Sequence, residues 1–353
     1  MSERCQHVLA AEVTFVHCGL SCEPSAQVIG EVVAADVHHL AGLALQRIPA
    51  HLDPPLQRQS KLSTTSSTGP NNSSANRLDR ILELSKRQSG IQLPLAFIRL
   101  QRPPRLLGRR PAAPKGTTPL ARMLRGGQGG EVRLKLYLTI TLLAAHPPFD
   151  ISRQIASRTW AEMLALPDPE HRGARRVIDA VAWLQENDFL LVERHGGSPP
   201  TITLRNASGR GGNYVKPTSP YVTLPIGYWE QQWITALSGT ATGLLLVLLE
   251  LSGGKNRAPA QWVNRERRGE YCLSDDSWTR ATKELCEFGL LEVGRVSSGH
   301  DLEYTRRRNT YQLNKDRLAG PVPIDVLERR IEERRRASKR KTLCPIASAM
   351  PGE

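Results

Sequence analysis

Residues 132–313 repeat weakly at an offset of about 100 residues, and this repeat constrains the fold more than any other feature of the chain. Each copy opens with an apolar helix, VRLKLYLTITLLAAH at 132–146 and GTATGLLLVLLEL at 239–251. A Trp-bearing helical segment follows, RTWAEMLAL at 158–166 and AQWVNRERR at 260–268. An amphipathic helix ending in apolar residues comes next: EHRGARRVIDAVAWLQENDFLLVER (170–194) in the first copy, LSDDSWTRATKELCEFGLLEVGR (273–295) in the second. Each copy closes on an expected hairpin. In the first, a turn at HGGSPP (195–200) precedes the strand TITLR (201–205); in the second, a turn at SSGHD (297–301) precedes NTYQL (309–313). Leu184 aligns with Leu285, and Leu190 and Leu191 with Leu291 and its neighbour.

The aromatics place the folded part in the same window. Of 18 Phe, Trp and Tyr residues, only Phe15 and Phe97 precede Tyr137, and aromatics dominate core burial. Residues 59–76, QSKLSTTSSTGPNNSSAN, show no apolar periodicity and are expected to be disordered. Residues 79–89 are expected to form one short helix. From Ser85 to Gly130 there are ten Lys/Arg and no acidic residue, which reads as a basic, flexible arm. Met123 is then a candidate for an original start. The expected organisation is a mostly disordered arm over 1–130, domains at 131–208 and 223–315, a linker at 209–222, and a basic helix and tail over 316–353. Gly209 to Gly212 should let the linker flex, while Pro217, Pro220 and Pro225 stiffen the segment after them.

Helical projection gives the third helix of each copy two faces. In the second copy Trp278, Ala281, Leu285 and Phe288 point inward, while Asp276, Thr279, Arg280, Lys283 and Glu287 point outward. In the first, Val177, Ala180, Val181 and Leu184 point inward, and Arg172, Arg175 and Asp179 outward. Gly289 suits a left-handed C-cap, and Ser274 before Asp275 and Asp276 suits an N-terminus. The order helix–helix–helix–hairpin is that of a winged helix-turn-helix domain. On SDDSWTRATKELCEFGLLEV (274–293) and GARRVIDAVAWLQENDFLLVER (173–194), the chain resembles the tandem winged-helix architecture of plasmid replication initiators and, more broadly, winged-helix transcription regulators. The resemblance covers about half the chain. It departs from that pattern in Asp188, where the second copy has Gly289, and in the N-terminal arm. It implies an α+β, mainly helical fold with two tandem winged helices.

The charge agrees with such a function. There are 48 Lys+Arg against 34 Asp+Glu, a net +14, which favours a polyanionic partner. A recognition helix reads base edges with its N-terminal side chains, and flanking cations hold phosphates. Ser277, Thr279, Arg280 and Lys283 suit that role in the second copy, and Arg172, Arg175 and Arg176 in the first. Arg306, Arg307 and Arg308 are the expected wing contacts; the first wing has only Arg194, His195 and Arg205. From Arg306 to Lys341 there are 13 basic and 5 acidic residues, with a helix expected over IDVLERRIEERRRASKRK. The expected function is binding of double-stranded DNA, as a replication-initiator-like factor or a transcription regulator. The competing class is a protein-interaction module of a chromosome-organising complex; such modules tend to be acidic, unlike this chain. A second copy, as a homodimer, is the other partner considered.

Other chemistry finds less support. Cys5, His7, His17, Cys18, Cys22, His38 and His39 could ligate metal, but no second matched pair completes a zinc site, so no metal or cofactor is expected. Phosphate-loop, G-x-S-x-G and H-E-x-x-H patterns are missing, so no enzymatic activity is expected. The longest apolar run, Leu244 to Leu249, is far short of the roughly 20 residues a membrane span needs, and six scattered Cys suggest a reducing cytoplasm. Cys286 is expected to be a small buried residue. Trp229 and Trp233 align with Ile226 and Leu237 as a core stripe.

Overall fold

The computed structural model describes residues 70–101, 116–126, 128–151, 153–256, 258–298 and 306–332, all within one compact unit spanning 65–353. The architecture is α+β. It begins with α1 (Pro70–Ser85), β1 (Ile91–Pro94), α2 (Leu95–Ile98) and α3 (Pro119–Leu124). The first repeat contains α4 (Gln128–Leu143), β2 (Asp150–Ile151), α5 (Ser157–Met163), α6 (Ala174–Glu186), β3 (Leu190–Glu193) and β4 (Thr201–Leu204), with a π-helical turn at Pro169–Gly173 leading into α6. After β5 (Tyr221–Leu224), α7 (Gly227–Glu230) and α8 (Trp233–Ala236), the second repeat contains α9 (Gly239–Leu251), β6 (Gln261–Trp262), α10 (Arg265–Tyr271), α11 (Asp275–Glu287), β7 (Leu291–Ser298) and β8 (Arg306–Leu313). A 3-10 turn at Lys315–Ala319 and a helix over 324–332 follow.

Both repeats therefore run helix, strand, two helices, two strands. Their sheets share one antiparallel order, β2-β4-β3 and β6-β8-β7, with the last strand in the middle. The repeat extends to the backbone. Asp188 (φ 61°) and Gly289 (φ 69°) both end a third helix in the left-handed region. The next N–H, of Phe189 or Leu290, donates back to the carbonyl of Leu184 or Leu285, each at 2.9 Å. This is the helix-ending bond pattern that glycine favours. Asp188 takes it up at a cost of about 1–2 kcal/mol, while its carboxylate accepts from Arg205 at 2.9 Å. The Asp-for-Gly departure seen in the sequence thus leaves the turn unchanged.

Helix α9 is apolar all round and buried on every side, as such a helix must be. Helix α4 packs against it, and α3 lies against both. On α4, Lys135 is 2% exposed and pairs with Glu131 at 2.7 Å, while the Arg133 guanidinium stands 4.4 Å from the Trp183 ring centroid. Helix α11 buries Trp278, Ala281, Leu285 and Phe288, the stripe expected from helical projection. Val177, Ala180 and Leu184 of α6 are likewise buried, with Val181 partly so. Trp229 and Trp233 are fully buried in the same core.

The described part of the expected arm is not an arm. Leu78, Ile81, Ile91, Leu93, Phe97, Ile98, Leu120 and Met123 are all at most 4% exposed and belong to the common core. Strand β1 pairs with β5, from Ile91 opposite Leu224 to Pro94 opposite Tyr221. Few aromatics did not mean no core, because Leu and Ile carry it here. Of the described arginines in that basic stretch, Arg87, Arg99 and Arg122 find acceptors inside the fold. Arg87 donates to the Thr141 carbonyl (3.1 Å). Arg122 donates to Asn187 Oδ1 (3.0 Å) and the Gly209 carbonyl (3.3 Å). Arg77 pairs with Glu162. Residues 1–69, with their Cys and His cluster, lie outside the described residues.

The expected linker is exposed over most of its length but is anchored by specific contacts. The Asn206 N–H donates to the Gly212 carbonyl (3.0 Å), and Tyr214, 8% exposed, meets Phe149 edge-on with centroids 4.9 Å apart. Gly209 (φ 63°) lies so close to Phe189 that a Cβ would fall 2.5 Å from its ring. A left-handed turn against an aromatic face suits glycine, so Gly209 serves a tight fit here. Three smaller expectations change as well. Trp262 lies in strand β6 and not in a helix, its helical counterpart being α10. Cys286 is exposed, because it follows Leu285 and so turns off the inward stripe by one helical step. Strand β8 starts at Arg306, earlier than NTYQL, β7 runs to Ser298, and residues 299–305 between them lie outside the described residues. The described start of the expected C-terminal helix, 324–332, docks through Arg330 on Glu284 (2.8 Å) and Glu287 (2.7 Å) of α11.

A buried polar cluster ties the N-terminal segment to the second repeat. Glu250 meets Arg267 at 2.7 Å and Arg99 at 3.4 Å, and accepts from the Tyr271 hydroxyl at 2.5 Å. Glu270 meets Arg267 at 3.2 Å, and its carbonyl accepts from the Leu100 N–H at 2.9 Å. Burial and the bond to Glu250 push the Tyr271 phenol far up, so it remains the donor. Removing one partner from such a set strands the others. Glu250→Gln is expected to cost about 2–4 kcal/mol, the lower part of that range reflecting the partial exposure of Arg267. Chemical denaturation of the full-length variant measures it.

Candidate nucleic-acid interface

The third helix of the second repeat presents a polar face built by its own sequence. Ser274 caps α11 by accepting from the Ser277 N–H at 3.1 Å. Its hydroxyl donates to Ser277 Oγ (2.9 Å), and the Thr279 hydroxyl donates to the Asp275 carbonyl (2.8 Å). Asp276 holds Arg280 at 2.7 Å across one turn, with both side chains exposed, and Lys283 stands 3.9 Å from Glu287. These carboxylates, which by themselves repel phosphate, also orient the cations beside them. An exposed pair of this kind is weak, about 0–1 kcal/mol, so Arg280 can exchange Asp276 for another acceptor.

Beside this helix lies an open groove of about 1130 Å³, between the start of α10, the start of α11 and strand β8. Arg265 and Arg268 line it from α10, Arg307 and Arg308 from β8, and Trp262 from β6; Glu266 and Asp275 supply the acidic groups. Arg268 pairs with Asp275 at 2.8 Å and stands 4.8 Å from the Trp278 ring centroid. The Arg308 guanidinium lies 4.1 Å from the Trp262 centroid. Four guanidinium groups against two carboxylates make the groove attractive to anions. Of the residues singled out by sequence, Arg307 and Arg308 are in the groove wall. Ser277, Thr279, Arg280 and Lys283 follow along α11, whose first residue, Asp275, lies in that wall. Arg306 opens β8, but its side chain lies outside the described residues. Arg265, Arg268 and Trp262 were missed; the cluster RERR at 265–268 was visible, yet its place at a helix start facing β8 depends on the tertiary fold.

The first repeat carries a sparser version. Arg172 is not on α6 but in the π-helical turn before it, where its N–H donates to Asp168 Oδ2 at 3.3 Å. That N–H, and His171 at 3.2 Å, hold the Asp168 carboxyl below the usual carboxylate range. Arg172 and Arg175 are exposed, Arg176 is half-buried and already engaged, and Ile178, 54% exposed, shares the outer face with Asp179. Arg194 and His195 are exposed at the hairpin turn, and Arg205 is turned inward to Asp188. Among the described residues no helix is long and apolar enough to cross a membrane. No protein-family model, curated protein or solved structure matches this chain.

Proposed function

We propose that the two repeats are winged helix-turn-helix domains and that the chain binds double-stranded DNA through them, as a replication-initiator-like factor or a transcription regulator. The observation that carries this reading is the basic groove at the start of α11, walled by four arginines from α10 and β8. In a winged helix the third helix enters the major groove and the hairpin lies over the adjacent backbone or minor groove. Support comes from the element order, found twice, and from the position of Arg307 and Arg308 on the hairpin beside the third helix. The exposed outer faces of α6 and α11 add to it. Arg175, Arg280, Thr279 and Lys283 are the base-reading candidates; Arg172, Arg265, Arg307 and Arg308 suit phosphates.

These roles separate experimentally. Arg280→Ala and Arg175→Ala are each expected to lose about 1–3 kcal/mol on a preferred duplex and to relax preference at one or two bases. Replacing Arg306, Arg307 and Arg308 together by Ala is expected to weaken all duplexes alike and to flatten the salt dependence by about one unit for each phosphate no longer neutralised. Titrations of specific and random duplexes across a salt series measure both. Equal losses on the two duplexes for Arg280→Ala would remove that residue from base reading.

A further inference from the structure

Trp262 is 46% exposed, whereas Trp160, Trp229, Trp233 and Trp278 are at most 2% exposed and Trp183 is half-buried. An indole left in water forgoes a large burial gain, so its position asks for a reason. The ladder pairs Trp262 with Thr310 of β8, which puts it on the same sheet face as Arg308, two residues before Thr310. There the guanidinium stands 4.1 Å from the ring centroid, and the two flat groups together line the groove. Along the same groove Arg265 and Arg307 form no ion pair among the described residues. An aromatic face beside arginines is what unpaired nucleobases need, with bases stacking on the ring and phosphates meeting the cations. A duplex keeps its base faces inside its own stack and offers the ring little. A polyanion without bases offers it nothing.

We infer that this groove takes a single-stranded nucleic-acid segment, one base stacking at the Trp262–Arg308 pair and a neighbouring phosphate held by Arg265. The inference rests on the nucleic-acid reading above and adds a second kind of ligand to it. The test uses the full-length chain, an oligothymidylate of about 16 nucleotides and a duplex of equal length, at one fixed salt concentration. Trp262 is the most exposed of the six tryptophans, so quenching of intrinsic emission by the single strand reports on it directly. Quenching is expected. Trp262→Leu, which keeps apolar bulk without a ring, is expected to weaken single-strand binding roughly 5- to 100-fold, the equivalent of about 1–3 kcal/mol, and to weaken duplex binding, whose Arg308 contact loses its stacking partner, by a clearly smaller factor. Trp262→Phe should retain most of the single-strand affinity. A duplex bound without any quenching by the single strand would overturn the inference and leave the duplex reading standing. Equal loss on both probes for Trp262→Leu would make Trp262 a duplex contact and overturn it too. Binding to neither probe would remove both readings.

Discussion

A chain begun at Met123 is expected to lose its cooperative unfolding transition altogether. Such a chain lacks Leu78, Ile81, Ile91, Leu93, Phe97, Ile98 and Leu120, each at most 4% exposed. At about 1.5–3 kcal/mol per buried side chain, their removal forfeits roughly 10–20 kcal/mol, an upper bound because the unfolded chain buries some apolar surface too. A domain has only about 5–15 kcal/mol to lose. The damage continues past the missing residues. Strand β5 loses its only partner, β1, among the described strands, exposing Val222 and Leu224. Glu250 and Glu270 lose Arg99. Phe97 stacks on Tyr137 with centroids 5.5 Å apart, and Phe97→Ala alone is expected to cost about 3–5 kcal/mol. Circular dichroism melting of both variants checks this. A truncated chain that melts cooperatively within a few degrees of the full-length protein would make residues 70–122 peripheral.

Much of the fold was legible because it depends on local periodicity. The stripe Trp278, Ala281, Leu285 and Phe288 follows from helical spacing, and an α9 that is apolar on every face from Gly243 to Leu249 must be a central helix. The repeat was visible in the paired leucines, since cores constrain apolar positions more tightly than surfaces do. The misreadings share a cause. The N-terminal segment contributes short apolar pieces, IQLPLAFI among them, whose burial depends on α4, α9 and β5 far along the chain. Its described arginines resembled a solvated arm because their acceptors, such as the carbonyls of Thr141 and Gly209 and the carboxylate of Glu250, lie far along the chain. Likewise the run Gly209 to Gly212 suggests a flexible linker, although at Gly209 the ring of Phe189 leaves room only for glycine.

The candidate site was legible in outline only. Helical projection found the outward face of α11, and charge alone found Arg307 and Arg308. Arg265, Arg268 and Trp262 were not found, because a groove between two helix starts and a strand is a tertiary object. Taking Trp262 as helical also hid its exposure, since a short edge strand such as β6 shows almost no periodicity over two residues.

The second large effect concerns the two repeats acting together. Helices α4 and α9 pack within one core, and the β1–β5 pair holds the connection between the repeats. The third helices α6 and α11 should therefore keep a nearly fixed separation and meet successive major grooves, about 10–10.5 base pairs apart. Their outer faces differ, Arg172 and Arg175 on one and Thr279, Arg280 and Lys283 on the other, so the half-sites should be unlike. Two linked modules bind more tightly than either alone by about 10²–10⁴-fold, and this gain vanishes when geometry forbids joint contact. The decisive measurement takes a duplex selected from random DNA and titrates the full-length chain, at one fixed salt, against that duplex with no insertion, five base pairs or ten base pairs between its half-sites. Five base pairs should lower affinity by about 100-fold or more, and ten should restore part of it. Equal affinity for all three duplexes, or the absence of any selected duplex, would contradict the proposal that both repeats read double-stranded DNA.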